Sequence, residues 1–166
     1  MGITSSGCRE VRRGGKGMLL GLGWSALMLA SAAAWAQQDG ATQAAIVKVM
    51  RGEVQAQREG KTRPLAVGER LYEGDRVLTA AASSVGFTLR DDTLISLGPN
   101  SQFLLEQFVF NEKTDEGNIA VRMVKGTLRY VSGLIGKHAP ERQQFSTPTA
   151  TIGIRGTDFI VEVAGE

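Results

Sequence analysis

Nucleophilic catalysis in this chain would have to use His138 as its base, because the sequence contains no other histidine. A nucleophile would have to be Ser or Thr, since the lone thiol, Cys8, lies in an N-terminal segment that reads as a leader. A working nucleophile also needs a base and a third group to orient that base. His138 sits in Gly136-Lys137-His138-Ala139-Pro140, with no nucleophile elbow nearby, and is expected to be a solvent-exposed loop residue. One His and no downstream Cys cannot supply the usual nitrogen and sulfur ligands of zinc. Asp91-Asp92 and Glu73-x-Asp75 offer oxygens but lack the D-x-[DN]-x-[DN]-G spacing that wraps calcium. Their side chains are better suited to bonding nearby backbone N–H groups and setting turns. Two carboxylates for glycoside hydrolysis need not be close in sequence. Past the leader, however, there is no Trp and only Tyr72 and Tyr130 join the phenylalanines, so a sugar-stacking cleft has few platforms. No catalytic, cofactor-binding or metal-ligating residue is expected.

The Gly-rich run Thr151-Ile152-Gly153-Ile154-Arg155-Gly156-Thr157 raises phosphate binding. It is not a G-x-x-x-x-G-K-[ST] loop, and no helix start follows whose N–H groups could hold an anion. Gly153 and Gly156 are expected at a tight corner that needs positive φ or close backbone approach. Arg155 is expected to act as a fixed hydrogen-bond fork for neighbouring carbonyls or a carboxylate.

The elements around these residues read as strands. Val85, Phe87 and Leu89 alternate with Gly86, Thr88 and Arg90; Ile119, Val121 and Met123 alternate with Ala120 and Arg122. Thr157, Phe159, Val161 and Val163 alternate with Asp158 and Glu162. Period-two alternation indicates strands with one buried and one wet face. Turn signals divide the runs at Glu59-Gly60, Glu73-Gly74-Asp75, Asp91-Asp92, Gly98-Pro99-Asn100, Glu116-Gly117-Asn118 and Lys125-Gly126. Asn111 to Gly117 reads as a charged loop, and Gly133 to Arg142 as a longer one. Pro64, Pro99, Pro140 and Pro148 fall at run boundaries, where a missing N–H harms no ladder. The fold class is all-β: short strands and Gly-rich turns in a solenoid-like β-roll, with a β-sandwich as the alternative, after an N-terminal signal helix.

Charge is unevenly placed along the 166 residues. The first 36 hold Arg9, Arg12, Arg13 and Lys16 against Glu10; the rest hold 15 basic and 16 acidic groups. With no basic excess in the body, nucleic-acid binding is not expected. The basic start, the uncharged stretch Gly17 to Gln38 and the small-residue exit Ala34-Trp35-Ala36 are the parts of a secretory signal peptide. Residues 1–36 are assigned to it, with cleavage between Ala36 and Gln37; 37–44 form a short tether and 45–166 the β domain. An uncleaved anchor is the alternative, and positive charge N-terminal to the span would export the body in that case too. Gly14-Gly15 argues against a twin-arginine signal, and Cys8 lies upstream of the apolar core, where a lipoprotein cysteine would not. The expected location is periplasmic, with membrane contact only during export.

Four motifs in order resemble the FecR domain family: Val67-Gly68-Glu69-Arg70-Leu71-Tyr72-Glu73-Gly74-Asp75-Arg76-Val77-Leu78-Thr79, Arg90-Asp91-Asp92-Thr93-Leu94-Ile95-Ser96-Leu97-Gly98-Pro99-Asn100-Ser101, Gly126-Thr127-Leu128-Arg129-Tyr130, and Thr147-Pro148-Thr149-Ala150-Thr151-Ile152-Gly153-Ile154-Arg155-Gly156-Thr157-Asp158-Phe159. The resemblance runs from about Gly52 to Val163. It implies a periplasmic β-rich domain in which Gly68, Gly74 and Asp75 shape the first corner and Thr147, Pro148, Gly153, Arg155, Gly156 and Thr157 the last. In the best-known members the domain relays an iron-uptake signal to a cytoplasmic sigma factor. Those members carry an anti-sigma region before a membrane helix and extend past the domain. Here seventeen residues precede the apolar stretch and the sequence stops at Glu166, so sigma-factor control is not expected.

The functional expectation is an exported, non-enzymatic binding or interaction module of the envelope, free of cofactors, with a protein partner. Strand addition at Thr157–Val163, or contact through Gly133–Arg142, would serve that role. The alternatives are a glycan-binding or glycan-acting protein and a passive structural component.

Overall fold

The computed structural model describes residues 42–154 and 158–165. The leader, the cleavage position Ala36–Gln37, and Arg155, Gly156 and Thr157 lie outside the described residues.

Nearly everything described is strand or turn. In chain order the strands are β1 (Gln43–Arg51), β2 (Val54–Arg58), β3 (Lys61–Pro64), β4 (Arg70–Tyr72), β5 (Arg76–Thr79) and β6 (Ser84–Leu89). They continue as β7 (Leu94–Leu97), β8 (Gln102–Asn111), β9 (Glu116–Val131), β10 (Gln143–Ser146), β11 (Thr151–Gly153) and β12 (Asp158–Val163). The expected all-β class is found, as one curled sheet in the order β3-β2-β5-β8-β9-β7-β6-β1-β4, with β10 and β12 attached to β9. Pairing is antiparallel throughout, apart from the parallel pair β9–β10.

The long strand β9 makes the curl. Its first half lies between β8 and β10, and its second half between β7 and β12. Along the first half the buried side chains are Ile119, Val121 and Met123; along the second they are Leu128 and Tyr130. The alternation slips by one residue, at a bulge opposite Gln102 and Phe103. The slip keeps an apolar face inward while the strand leaves one set of partners for the other. Lys125-Gly126, expected as a turn, is therefore part of a sixteen-residue strand. Its glycine bends the strand (φ +97°) rather than ending it.

Curling brings the two halves of the sheet face to face. Phe87 of β6 meets Phe103 of β8 with ring centroids 5.6 Å apart, and both are fully buried. Around them pack Val47, Val77, Leu89, Ile95, Leu105, Phe108, Ile119, Met123 and Leu128, inward residues of β1, β5, β6, β7, β8 and both halves of β9. The alternating patterns read from sequence are the patterns buried here.

Two boundaries differ from expectation. Strand β1 takes in Gln43 and Ala44, assigned to the tether; Ala44 is wholly buried, so the chain is anchored sooner. Gly133–Arg142 is not an open loop. It forms a short helix, α1 (Leu134–His138), and a 3-10 turn (Pro140–Arg142), pinned by Ile135 in the core. His138 ends α1 and is exposed.

Candidate interaction edge

Strand β12 is the last strand to join the sheet, and it joins on one side only. Its six residues run antiparallel to Gly126–Val131 of β9, from Asp158 opposite Val131 to Val163 opposite Gly126. Among the described residues its other edge pairs with nothing. Asp158, Ile160 and Glu162 are exposed, Ile160 to 68%. Phe159, Val161 and Val163 face the core and are only half-buried.

The strand is held by its first inward residue. Phe159 stacks on Tyr130 at 5.1 Å between centroids and meets the edge of Phe145 at 5.8 Å. On the outer face, Arg129 donates to both carboxylate oxygens of Asp158, from Nε at 3.1 Å and from Nη2 at 2.6 Å. This fork raises the Arg129 pKa and lowers that of Asp158, chiefly through the hydrogen bonds.

Beyond Phe159 the inner face opens into a groove of about 650 Å³. One wall is Val161 and Val163; the other is Pro148 and Ile152 from the β10–β11 hairpin, with Val124 also in the lining. Ile152 is 40% exposed there. The hairpin is fastened by Thr147, whose Oγ1 donates to the Ala150 carbonyl (3.2 Å) and accepts from the Ala150 N–H (3.0 Å). A smaller recess of about 340 Å³ lies beside it, lined by Pro140, Glu141, Gln143, Gly153 and Ile154.

The other sheet edges are protected or short. Edge strand β3 carries Lys61 and ends in Pro64; β4 and β11 have three residues each. Charge, proline and brevity are the usual means of blunting an edge. Strand β12 has neither Lys nor Pro and is the longest of the four. That makes it the edge best suited to accept another strand.

The remaining motif residues build the frame rather than this edge. Asp75 is 1% exposed; its carboxylate accepts from Arg63 Nη2 at 2.7 Å and from the Tyr72 N–H at 3.0 Å. Arg63 also donates to the Arg70 carbonyl and to Glu69. The Arg58 and Arg63 guanidinium groups lie 5.0 and 5.9 Å from the Tyr72 ring centre. Gly74 (φ +83°) supplies the turn before Asp75, and Gly68 (φ +89°) an earlier one. Gly153 ends β11 with a φ that is not positive, and a Cβ on it would meet nothing among the described residues.

A second polar knot sits where β7 and β9 meet α1. Asp91 and Thr93 are both fully buried. Thr93 donates to Asp91 from its hydroxyl (2.7 Å) and its N–H (3.2 Å), and its Oγ1 accepts from the Gly133 N–H (3.0 Å). Leu134 N–H reaches the Asp91 carbonyl at 2.7 Å. Burial raises the Asp91 pKa, against the pull of these hydrogen bonds, and burial likewise raises that of Tyr130. Asp91 thus sets a turn, and no cluster of His, Cys, Asp or Glu able to hold a metal occurs among the described residues. Glu73 accepts from the Phe108 N–H at 3.3 Å, which ties it to β8.

These polar knots lie within the span of a known family. The family model described as FecR protein matches residues 75–166, more than half of the sequence. The chain belongs to the FecR family. Its match takes in the buried Asp75, the Asp91–Thr93 knot, the bend of β9 and the β12 edge, and leaves out the Val67–Gly74 part of the first motif. No curated protein and no solved structure matches the chain. Sequence reading missed Arg63 and, within the matched span, the groove. Arg63 lies twelve residues before its carboxylate, and the groove walls come from β12 and from the β10–β11 hairpin, which do not pair with each other. No local pattern marks such distant contacts.

Proposed function

We propose that this FecR-family chain is an exported, non-enzymatic interaction module of the cell envelope, which takes part in signalling by accepting a strand from a protein partner along β12. The observation that carries this reading is the coexistence of a free six-residue edge and an uncovered apolar row on the same strand. Strand addition uses main-chain hydrogen bonds for affinity and side-chain pockets at alternate positions for specificity. The β12 edge supplies the first, and the groove under Val161 and Val163 the second. Export is supported by the basic, apolar and small-residue succession of the first 36 residues. A binding role suits the groove better than hydrolysis: its described lining holds one carboxylate, Glu162, where glycoside hydrolysis uses two.

The test is a crosslinking capture of the tagged chain in the envelope, followed by mass spectrometry, with two variants that put a charge into the groove from opposite walls. Val161→Lys and Ile152→Lys should each abolish capture of the principal partner while the purified proteins still melt cooperatively. An undiminished partner in both variants would remove β12 as the docking edge. Capture from the cytoplasmic fraction alone would remove the exported reading.

A further inference from the structure

The chemistry of the β12 edge also restricts which strand can lie on it. The outward side chains of β12 are Asp158, Ile160 and Glu162. Asp158 already has its counter-charge in Arg129, but Glu162 makes no ion pair among the described residues. Its neighbour across the β9 ladder is Thr127, which cannot offset a carboxylate charge. On the inner side, Val161 and Val163 face Ile152 and Pro148 across the groove; Lys125, which also lines it, lies against Gly165 and makes no ion pair with Glu162 among the described residues. The edge strand itself is therefore apolar on its inner face and carries on its outer face one carboxylate, Glu162, that has no ion pair among the described residues.

A second copy of the same strand fits this edge poorly. Antiparallel self-pairing centred on Ile160 sets Asp158 opposite Glu162 twice, and like charges directly opposed across strands are destabilising. Centring the pair on Val161 sets Glu162 opposite Ile160 and leaves the carboxylate without a cation. A strand of opposite charge meets neither problem.

Resting on the strand-addition reading above, we infer that the occupant of the β12 edge is an extended peptide segment with apolar residues at alternate inward positions and a Lys or Arg at the outward position facing Glu162. Three alternate apolar side chains suit a groove of about 650 Å³, and the cation gives the Glu162 carboxylate an ion pair across the new ladder. The alternation fixes register, because a shift by one residue turns the apolar row to water. The cation then selects among strands of equal hydrophobicity, since opposite-charge pairs across strands are favourable and like-charge pairs are not.

The experiment uses the full chain and three capped eight-residue peptides, with binding measured by calorimetry. In the first peptide valine alternates with threonine and a central lysine; in the second glutamate replaces the lysine; in the third the alternation is shifted by one residue against the same lysine. The lysine peptide should bind roughly three- to tenfold more tightly than the glutamate peptide, and the shifted peptide should bind no better than a scrambled one. Glu162→Lys should reverse the preference and Glu162→Gln should abolish it; both changes are on an exposed face and leave the core alone. Equal binding of the lysine and glutamate peptides, unchanged by Glu162→Lys, would overturn this inference and leave strand addition standing. Failure of all three peptides, with a dimer in sedimentation that Val161→Lys dissolves, would overturn both in favour of a second copy. Failure of all three without such a dimer would also overturn the inference, and the capture experiment would then decide the fate of the edge.

Discussion

Gly126 lies so close to Ser101 that a Cβ added to it would come within 2.5 Å of the serine Cα and closer still to its Oγ. The contact sits at the bend of β9, and a ring of hydrogen bonds closes around it. Ser101 Oγ donates to the Thr127 carbonyl (3.3 Å) and accepts from the Thr127 N–H (3.2 Å). Thr79 Oγ1 accepts from the Ser101 N–H (2.8 Å) and donates to the Gly98 carbonyl (2.7 Å). Residues from three of the four family motifs meet in this knot. It fixes where β9 changes partners, and so where β12 can attach.

Gly126→Ala should be strongly destabilising. The substitution adds a methyl where backbone already stands and forces an L-residue to a φ of +97°. Either effect alone costs on the order of 1–3 kcal/mol, and the backbone cannot retreat without breaking the Ser101–Thr127 bonds. Denaturant unfolding should show a loss of about 2–4 kcal/mol. A loss below 1 kcal/mol would mean that the bend relaxes without the knot.

Asp75→Ala should cost about 2–4 kcal/mol. The carboxylate is buried while Arg63 is partly exposed, so part of the loss is recovered as water solvates the freed guanidinium. The Tyr72 N–H, by contrast, loses its acceptor. Glu69→Ala removes only the exposed arm of the same arginine and should change stability by less than about 1 kcal/mol. Equal effects of the two substitutions in the same urea titration would contradict the placement of Asp75 as the buried anchor.

Local patterns in the sequence make the strands legible and leave their meeting places hidden. The alternation of Val85, Phe87 and Leu89 is a local property of one strand, and it is buried as read. Glu59-Gly60 is equally local: both residues have positive φ, as a tight hairpin turn between β2 and β3 requires. Lys125-Gly126 carries the same type of signal but lies inside a strand, because whether a glycine ends or bends a strand depends on Ser101, twenty-five residues away. The groove was hidden for the same reason. Val161 and Ile152 look like ordinary strand residues until β9 gathers β12 and the β10–β11 hairpin along its length. The strand at 158–163 was readable as an edge candidate from its position and alternation; its uncovered inner row was not.

Asp91 makes stability depend on pH in the direction opposite to a salt-bridged carboxylate. Its folded pKa lies above the ordinary 3.8, chiefly because burial disfavours the charge. The folded state therefore holds the proton more tightly than the unfolded chain. The contribution of Asp91 is most favourable below 3.8 and diminishes as pH rises to the raised value, then stays level. Asp91→Asn removes this dependence. Unfolding free energies of the two proteins, measured from pH 3 to pH 8, should show the wild type losing ground to the variant as pH rises. Asp158, lowered by Arg129, has the opposite sign and is common to both proteins, so it cancels in the comparison. A wild type that gains on the variant as pH rises would refute the assignment.

Phe159→Ala should detach β12 without unfolding the domain. Phe159 joins β12 to the body through the stack on Tyr130 and the edge contact with Phe145, while Tyr130 and Phe145 remain buried among strands that do not need β12 for their own pairing. Truncating a fully buried Phe costs about 3–5 kcal/mol; for this half-buried ring about 2 kcal/mol is expected. The loss should be local, because the six residues of β12 pair only with the second half of β9 among the described residues. Hydrogen exchange should show amides of residues 158–163 losing protection while those of β6 and β8 keep theirs. Partner capture should fall in parallel with that protection. If protection is lost evenly across the sheet, β12 is a member of the cooperative core, and its exposed edge is held more rigidly than a strand-accepting site requires.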